Sequence, residues 1–163
     1  MSREAEPLLL ADDELLIERW FRAPAALLFR LWEKPEHLSR WLGPESFTCT
    51  HVEIDFRPGG RWRACITAPD RGDNWMGGIY RQIERPRLIA FTFAWEKDGC
   101  APPDFETLVT ITFHEEGERT LQRFHQKGFP TAELRDSHVG GWSSAFTKEI
   151  QYAEALALKE NRP

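Results

Sequence analysis

Glu133-Leu-Arg-Asp-Ser-His138-Val-Gly-Gly141-Trp142 opens the stretch that decides the fold, which continues to about Leu158. Val139, Trp142, Phe146, Ile150, Ala153 and Ala157 recur at steps of three and four, the period of a helix with one buried stripe. Gly140 and Gly141 interrupt it, each costing roughly 1 kcal/mol relative to Ala. Two glycines beside a Trp predict a close approach to another backbone or to a ligand, read first as docking, with the helix drawn onto the sheet and Trp142 filling the space beyond. Thr131 is placed to cap the helix N-terminus.

Almost everything before this helix reads as strand. Leu15–Phe21 is a first strand, ended by Ala23-Pro24. Ala25–Glu33 carries Leu27, Leu28, Leu31 and Trp32 at helical spacing. Glu36–Leu42 forms a second short helix, stopped by Gly43-Pro44. Strands are predicted over Phe47–Phe56, Arg61–Thr67, Trp75–Glu84, Arg87–Trp95, Thr107–His114 and Thr120–Lys127, separated by turn-rich segments. Hairpin-like connections in a row require an antiparallel sheet. The sheet must curve to enclose one long helix, and bending is cheapest at Gly59-Gly60 and Gly77-Gly78. The expected architecture is α+β: about seven antiparallel strands wrapped round a long C-terminal helix, with two short helices after the first strand. Residues 1–13 read as a loose polar tail, and residues 14–160 as one domain.

The chain has 163 residues, 41% of them hydrophobic and 29% charged, which is ordinary globular composition. A chain of this length buries about 70% of its unfolded surface and needs no staple. Its net charge of −5 is well mixed, and no basic stripe marks a nucleic-acid surface. Three cysteines, Cys49, Cys65 and Cys100, without CxxC spacing argue against a disulfide framework or a zinc site. With no signal-like or membrane-spanning run, a reducing cytoplasm is the expected location. His37, His51, His114, His125 and His138 lack ligand-like spacing, and no nucleotide or nucleophile-elbow motif occurs, so neither metal nor cofactor is expected.

Four stretches in this order carry a family likeness: Arg19-Trp-Phe-Arg-Ala-Pro24, Pro35-Glu-His-Leu-Ser-Arg-Trp41-Leu-Gly-Pro44, Asp55-Phe-Arg-Pro-Gly-Gly60-Arg-Trp62 and Arg135-Asp-Ser-His138…Gly141-Trp142. They resemble the helix-grip (START-like, SRPBCC) superfamily, and within it the domain related to the C-terminal half of the heat-shock-protein-90 ATPase activator. The resemblance implies a cavity between a curved sheet and the last helix. It also implies that members bind or transform apolar small molecules or act as cochaperones in stress responses. It implies no common catalytic set. The segment from His125 to Phe129 is one residue longer than the family's usual spacing.

Seven Trp and eleven Phe supply the material for an apolar cavity. The candidate ligand-binding residues are Trp41, Trp62, Trp75, Trp95, Arg123, His125, Trp142 and Phe146. Alternation puts Trp62 opposite Arg61 and Arg63, hence inward. Arg123 and His125 share a strand face of Leu-Arg-His-Lys character, opposite one of Thr-Gln-Phe-Gln character. The pattern does not decide which face is inner. An inward His125 would anchor a polar group or act as acid or base. The expected function is binding of an apolar or aromatic small molecule without a catalytic residue. An aromatase/cyclase-like enzyme and a module contacting a chaperone are the alternatives.

Overall fold

A computed structural model describes residues 10–98 and 101–161. Most of the expected tail lies outside them, as does Cys100. The element order is β1 (Glu14–Phe21), α1 (Ala25–Glu33), α2 (Pro35–Leu38), β2 (Thr48–Ile54), β3 (Arg61–Ala68), β4 (Gly72–Glu84), β5 (Leu88–Trp95), β6 (Thr107–Glu116), β7 (Arg119–Lys127) and α3 (Ala132–Glu160). The strands form one curved antiparallel sheet of seven, ordered β1-β7-β6-β5-β4-β3-β2. β2 to β7 meander, and β1 closes on β7 with Leu15 opposite Gln126 and Ile17 opposite Phe124.

Period-two patterning sets the inner face. In β6, Thr107, Val109, Ile111 and Phe113 are buried while their neighbours are not. In β7 the inner set is Thr120, Gln122, Phe124 and Gln126. That settles the face the sequence leaves open: Arg123 and His125 point outward.

α3 spans 29 residues, roughly 43 Å at 1.5 Å per residue. Thr131 caps it as expected, its side chain accepting from the Leu134 N–H at 3.1 Å. The buried stripe is Trp142, Ala145, Phe146, Glu149, Ala153 and Ala157, so a glutamate occupies its middle. Val139 and Ile150 are only partly buried.

The helix glycines do not work as expected. A Cβ on Gly140 would meet nothing within 4 Å, and one on Gly141 would make an ordinary 3.7 Å contact with Pro44. Neither draws the helix onto the sheet. The close approaches lie in the sheet. A Cβ on Gly60 would stand 2.0 Å from Asp55 O in the β2–β3 turn, and one on Gly78 would stand 1.8 Å from Thr92 O. Around Gly78 the β4–β5 ladder opens. The Ile79 N–H donates to Thr92 Oγ1 at 2.9 Å, and Thr92 O accepts instead from the Trp62 indole at 3.1 Å. A register shift between Tyr80 and Gln82 follows. The sheet bends where side-chain groups replace ladder bonds.

The core centres on Trp32 of α1, whose ring lies 4.7 Å from Trp41 and within 6.3 Å of Phe91, Phe124, Trp142 and Phe146. Its indole N–H donates to Gln122 Oε1 at 3.1 Å, so burial leaves that donor paired.

Candidate functional site

The middle of the sheet–helix interface is filled by these side chains apart from a void of about 20 Å³ beside Trp32, Trp62 and Trp142. Toward the first turns of α3 the packing opens into a pocket of about 350 Å³. This is the lower end of the range for small-molecule sites, roughly 300–1,000 Å³. Its deep wall is apolar: Ile66 from β3, Met76 from β4, Phe93 from β5, and Trp142 and Ala145 from α3, all buried. Trp95 extends one side, and Arg71 and Ser137 stand exposed at the mouth. The roof is the loop carrying Gly43, Pro44 and Phe47. Three hydrogen bonds tie that loop to α3. The Glu45 N–H donates to Ser144 Oγ at 2.8 Å, and Lys148 Nζ donates to Pro44 O at 3.2 Å and Phe47 O at 3.3 Å. Partial burial of the ammonium lowers its pKa.

The aromatic wall is held rigidly. The Trp142 N–H donates to Gln126 Oε1 at 2.9 Å, Gln126 Nε2 to Thr107 Oγ1 at 2.8 Å, and Thr107 Oγ1 to Phe93 O at 3.1 Å. The Trp95 N–H donates to His138 Nε2 at 2.9 Å, and His138 Nδ1 donates to Leu134 O at 2.7 Å. Burial lowers the His138 pKa, so the ring is neutral at pH 7 with both nitrogens engaged. It forms part of the wall and is no free acid or base.

Of the expected site residues, the structure brings only Trp95 and Trp142 to the pocket surface. Trp62 points inward but lies one layer behind, its ring 5.8 Å from Phe93. Trp41 and Phe146 are fully buried core residues, and the Trp41 indole N–H donates to Leu31 O at 3.3 Å. Trp75 faces out: Asn74 and Met76 take the inner positions, and Arg63 lies over the Trp75 ring at 3.8 Å. Arg123 pairs with Glu18 and His125 with Glu14 across the outer face, each at 2.8 Å. None of these last three reaches the pocket.

Sequence reading missed His138 as a wall residue, together with Phe93, Met76, Asn74 and Arg71. His138 lies one helical turn before Trp142, on the stripe expected to be buried, and Phe93 lies two residues before the candidate Trp95, on the same strand face.

It also missed Glu149, which is fully buried between α3, β7 and α1. Its Oε1 accepts from Gln122 Nε2 at 2.9 Å, and its Oε2 has no partner. Burial raises its pKa to about 8, so it is mostly a neutral acid at pH 7. The signal was available: residue 149 is seven positions after Trp142, on the same stripe.

Among the described residues no helix is long and apolar enough to cross a membrane. No group of three or more His, Cys, Asp or Glu among them could hold a metal ion.

A strand, two short helices, a six-strand meander and a long helix with a pocket at one end define a helix-grip protein. The chain belongs to the family described as activator of Hsp90 ATPase homolog 1-like protein, whose sequence profile matches residues 22–153. It is similar to protein CV1439 from Chromobacterium violaceum, with 25% identity, 86% of this chain and 97% of that one covered, and a TM-score of 0.76. It is also similar to the AHSA1 (SPO3351) protein from Silicibacter pomeroyi, with 23% identity, coverages of 90% and 99%, and a TM-score of 0.78. CalU16 from Micromonospora echinospora shares the fold at 18% identity, with coverages of 90% and 79% and a TM-score of 0.62. No curated protein matches the chain.

Proposed function

We propose that this protein binds a small apolar or aromatic molecule in the pocket between β3–β5 and the start of α3. One observation carries the reading: Phe93, Trp95 and Trp142 form a wall whose indole N–H groups are already paired within the protein. A ligand therefore meets rigid rings and displaces little internal bonding, which keeps the ordering cost of binding low. An enzyme using this pocket would need a free titratable group there, and both His138 nitrogens are engaged. Contact with a chaperone would favour a contiguous apolar patch. The exposed large apolar residues among those described, Leu10, Trp20, Leu134 and Leu158, are distributed over the chain start, β1 and the two ends of α3. The free thiols of Cys49 and Cys65 fit a reducing, cytoplasmic setting.

The test is tryptophan fluorescence and native mass spectrometry with a library of aromatic and fatty compounds, comparing wild type with Gly141→Leu, which fills the pocket mouth. Binding by wild type that Gly141→Leu abolishes supports the reading. No binding by wild type, or equal binding by both, refutes it.

A further inference from the structure

We infer that the pocket selects a compact aromatic carboxylate, with its ring between Phe93, Trp95 and Trp142 and its anionic group at the mouth on Arg71. This rests on the binding reading above and adds the ligand's chemical class.

Polarity is divided along the pocket. The deep residues, Ile66, Met76, Phe93 and Trp142, offer no free polar atom, because the Trp142 N–H is held by Gln126. Among the described residues, Arg71 is the only formally charged one that lines the pocket, and no carboxylate does, although the whole chain is acidic. The Arg71 guanidinium has no ion pair or hydrogen bond among the described residues, and the Ser137 hydroxyl across the mouth has none either.

The turn that carries Arg71 is fixed. The Arg71 N–H donates to Ala68 O at 3.1 Å, and Asn74 Nδ2 donates to Arg71 O at 3.3 Å and Gly72 O at 3.1 Å. The backbone therefore holds the start of the side chain still while its head stays available. Asp70 and Asp73 flank it in the turn, but neither lines the pocket, and Asp73 accepts from Thr67 Oγ1 at 2.9 Å. A second cation, Lys148, stands behind the roof on Pro44 O and Phe47 O. An apolar slot ending in an unpaired guanidinium and a hydroxyl matches a flat ring bearing one carboxylate, which Arg can grip through two parallel N–H groups.

The probes are naphthoate, its uncharged methyl ester, and octanoate, which has the charge without the ring. Each is titrated by tryptophan fluorescence into wild type, Arg71→Gln and Arg71→Lys. Near-ultraviolet dichroism confirms the fold of each variant. Naphthoate is expected to bind wild type about tenfold more tightly than its ester, the ratio expected of one partly exposed charge-assisted contact. Arg71→Gln should bring the two probes together, and Arg71→Lys should keep part of the difference. Octanoate should bind more weakly than naphthoate. Equal affinity for naphthoate and ester, or a preference that survives Arg71→Gln, would overturn the assignment of the anionic group while leaving the binding reading intact. Octanoate binding as tightly as naphthoate would overturn the aromatic half. If no probe binds wild type, this inference fails, and the binding reading is decided by the compound library and Gly141→Leu.

Discussion

Trp95 and His138, 43 residues apart, are joined by a 2.9 Å hydrogen bond that fixes the state of both rings. Leu134 O can only accept, so Nδ1 of His138 carries the proton, and Nε2 is left to accept from the Trp95 indole. Phe93, Phe105 and Phe129 pack round the imidazole and bring no charge near it. Protonation would set an N–H against an N–H.

Acid should therefore loosen this wall. The folded His138 pKa lies below its ordinary 6.5, so the unfolded chain binds the proton first. The stability from this group is complete above 6.5 and is lost as pH falls from there toward the lowered folded value. Between about pH 7.5 and about pH 5, the urea midpoint of wild type should fall more than that of His138→Gln. Trp95 emission should shift to the red over the same range in wild type alone. Equal pH dependence in the two proteins would disprove the effect.

Glu149 predicts the opposite slope. Its folded pKa, about 8, stands above the ordinary 4.5, so its stability is complete below 4.5 and is lost as pH rises to about 8. The full loss is on the order of 5 kcal/mol. Glu149→Gln keeps the acceptor for Gln122 and cannot ionise. It should match wild type near pH 4.5 and exceed it by a few kcal/mol above pH 8, measured by urea unfolding. A variant less stable than wild type at both ends would count against this account.

The helix glycines separate stability from binding. Gly140→Ala places a methyl group in open space and should stabilise by about 1 kcal/mol without touching ligand affinity. Gly141→Leu gains similar propensity but puts its side chain into the pocket. Its melting temperature should hold or rise while binding disappears. Loss of fold in Gly141→Leu would show that this position packs more tightly than described.

Gly78 should tolerate nothing larger. An alanine there meets Thr92 O at 1.8 Å, and relief would disturb both the Ile79 and the Trp62 hydrogen bonds to Thr92. Gly78→Ala is expected to cost about 3 kcal/mol or more. Gly72→Ala, with no atom within 4 Å but φ at +63°, should cost only about 1 kcal/mol. Comparable losses in the two variants would remove the special role of the bend.

Much of the fold was readable from local rules. α1 matches its predicted span, Thr131 caps α3, and the strand boundaries agree within a few residues, because hydrophobic period and turn residues are short-range signals. The site was less readable. Trp75 and Trp95 look alike in sequence, and one residue of phase in each strand decides that one faces out and the other in. The β7 faces are mirror cases: Gln122 and Gln126 are inside because Trp32 and Trp142 supply donors from elements 90 and 16 residues away. A polar inner face makes sense only once its distant partners are known.

Those two glutamines also act as a ruler. Gln126 takes the indole of Trp142 and Gln122 donates to Glu149, so two marks on one strand meet two marks on the helix. A slide of α3 by one turn, about 5.4 Å, would break both contacts at once, whereas an all-apolar stripe would accept the new position. The pocket's length depends on where the helix stops along the sheet. The buried acid, costly to stability, thus sets a dimension of a site it never touches. Replacing Glu149 alone by Leu keeps the Gln122 acceptor for the Trp32 N–H but removes one of the two marks, and should broaden the indole NMR signals of Trp95 and Trp142. Sharp, unshifted signals would show that the helix needs no such marks.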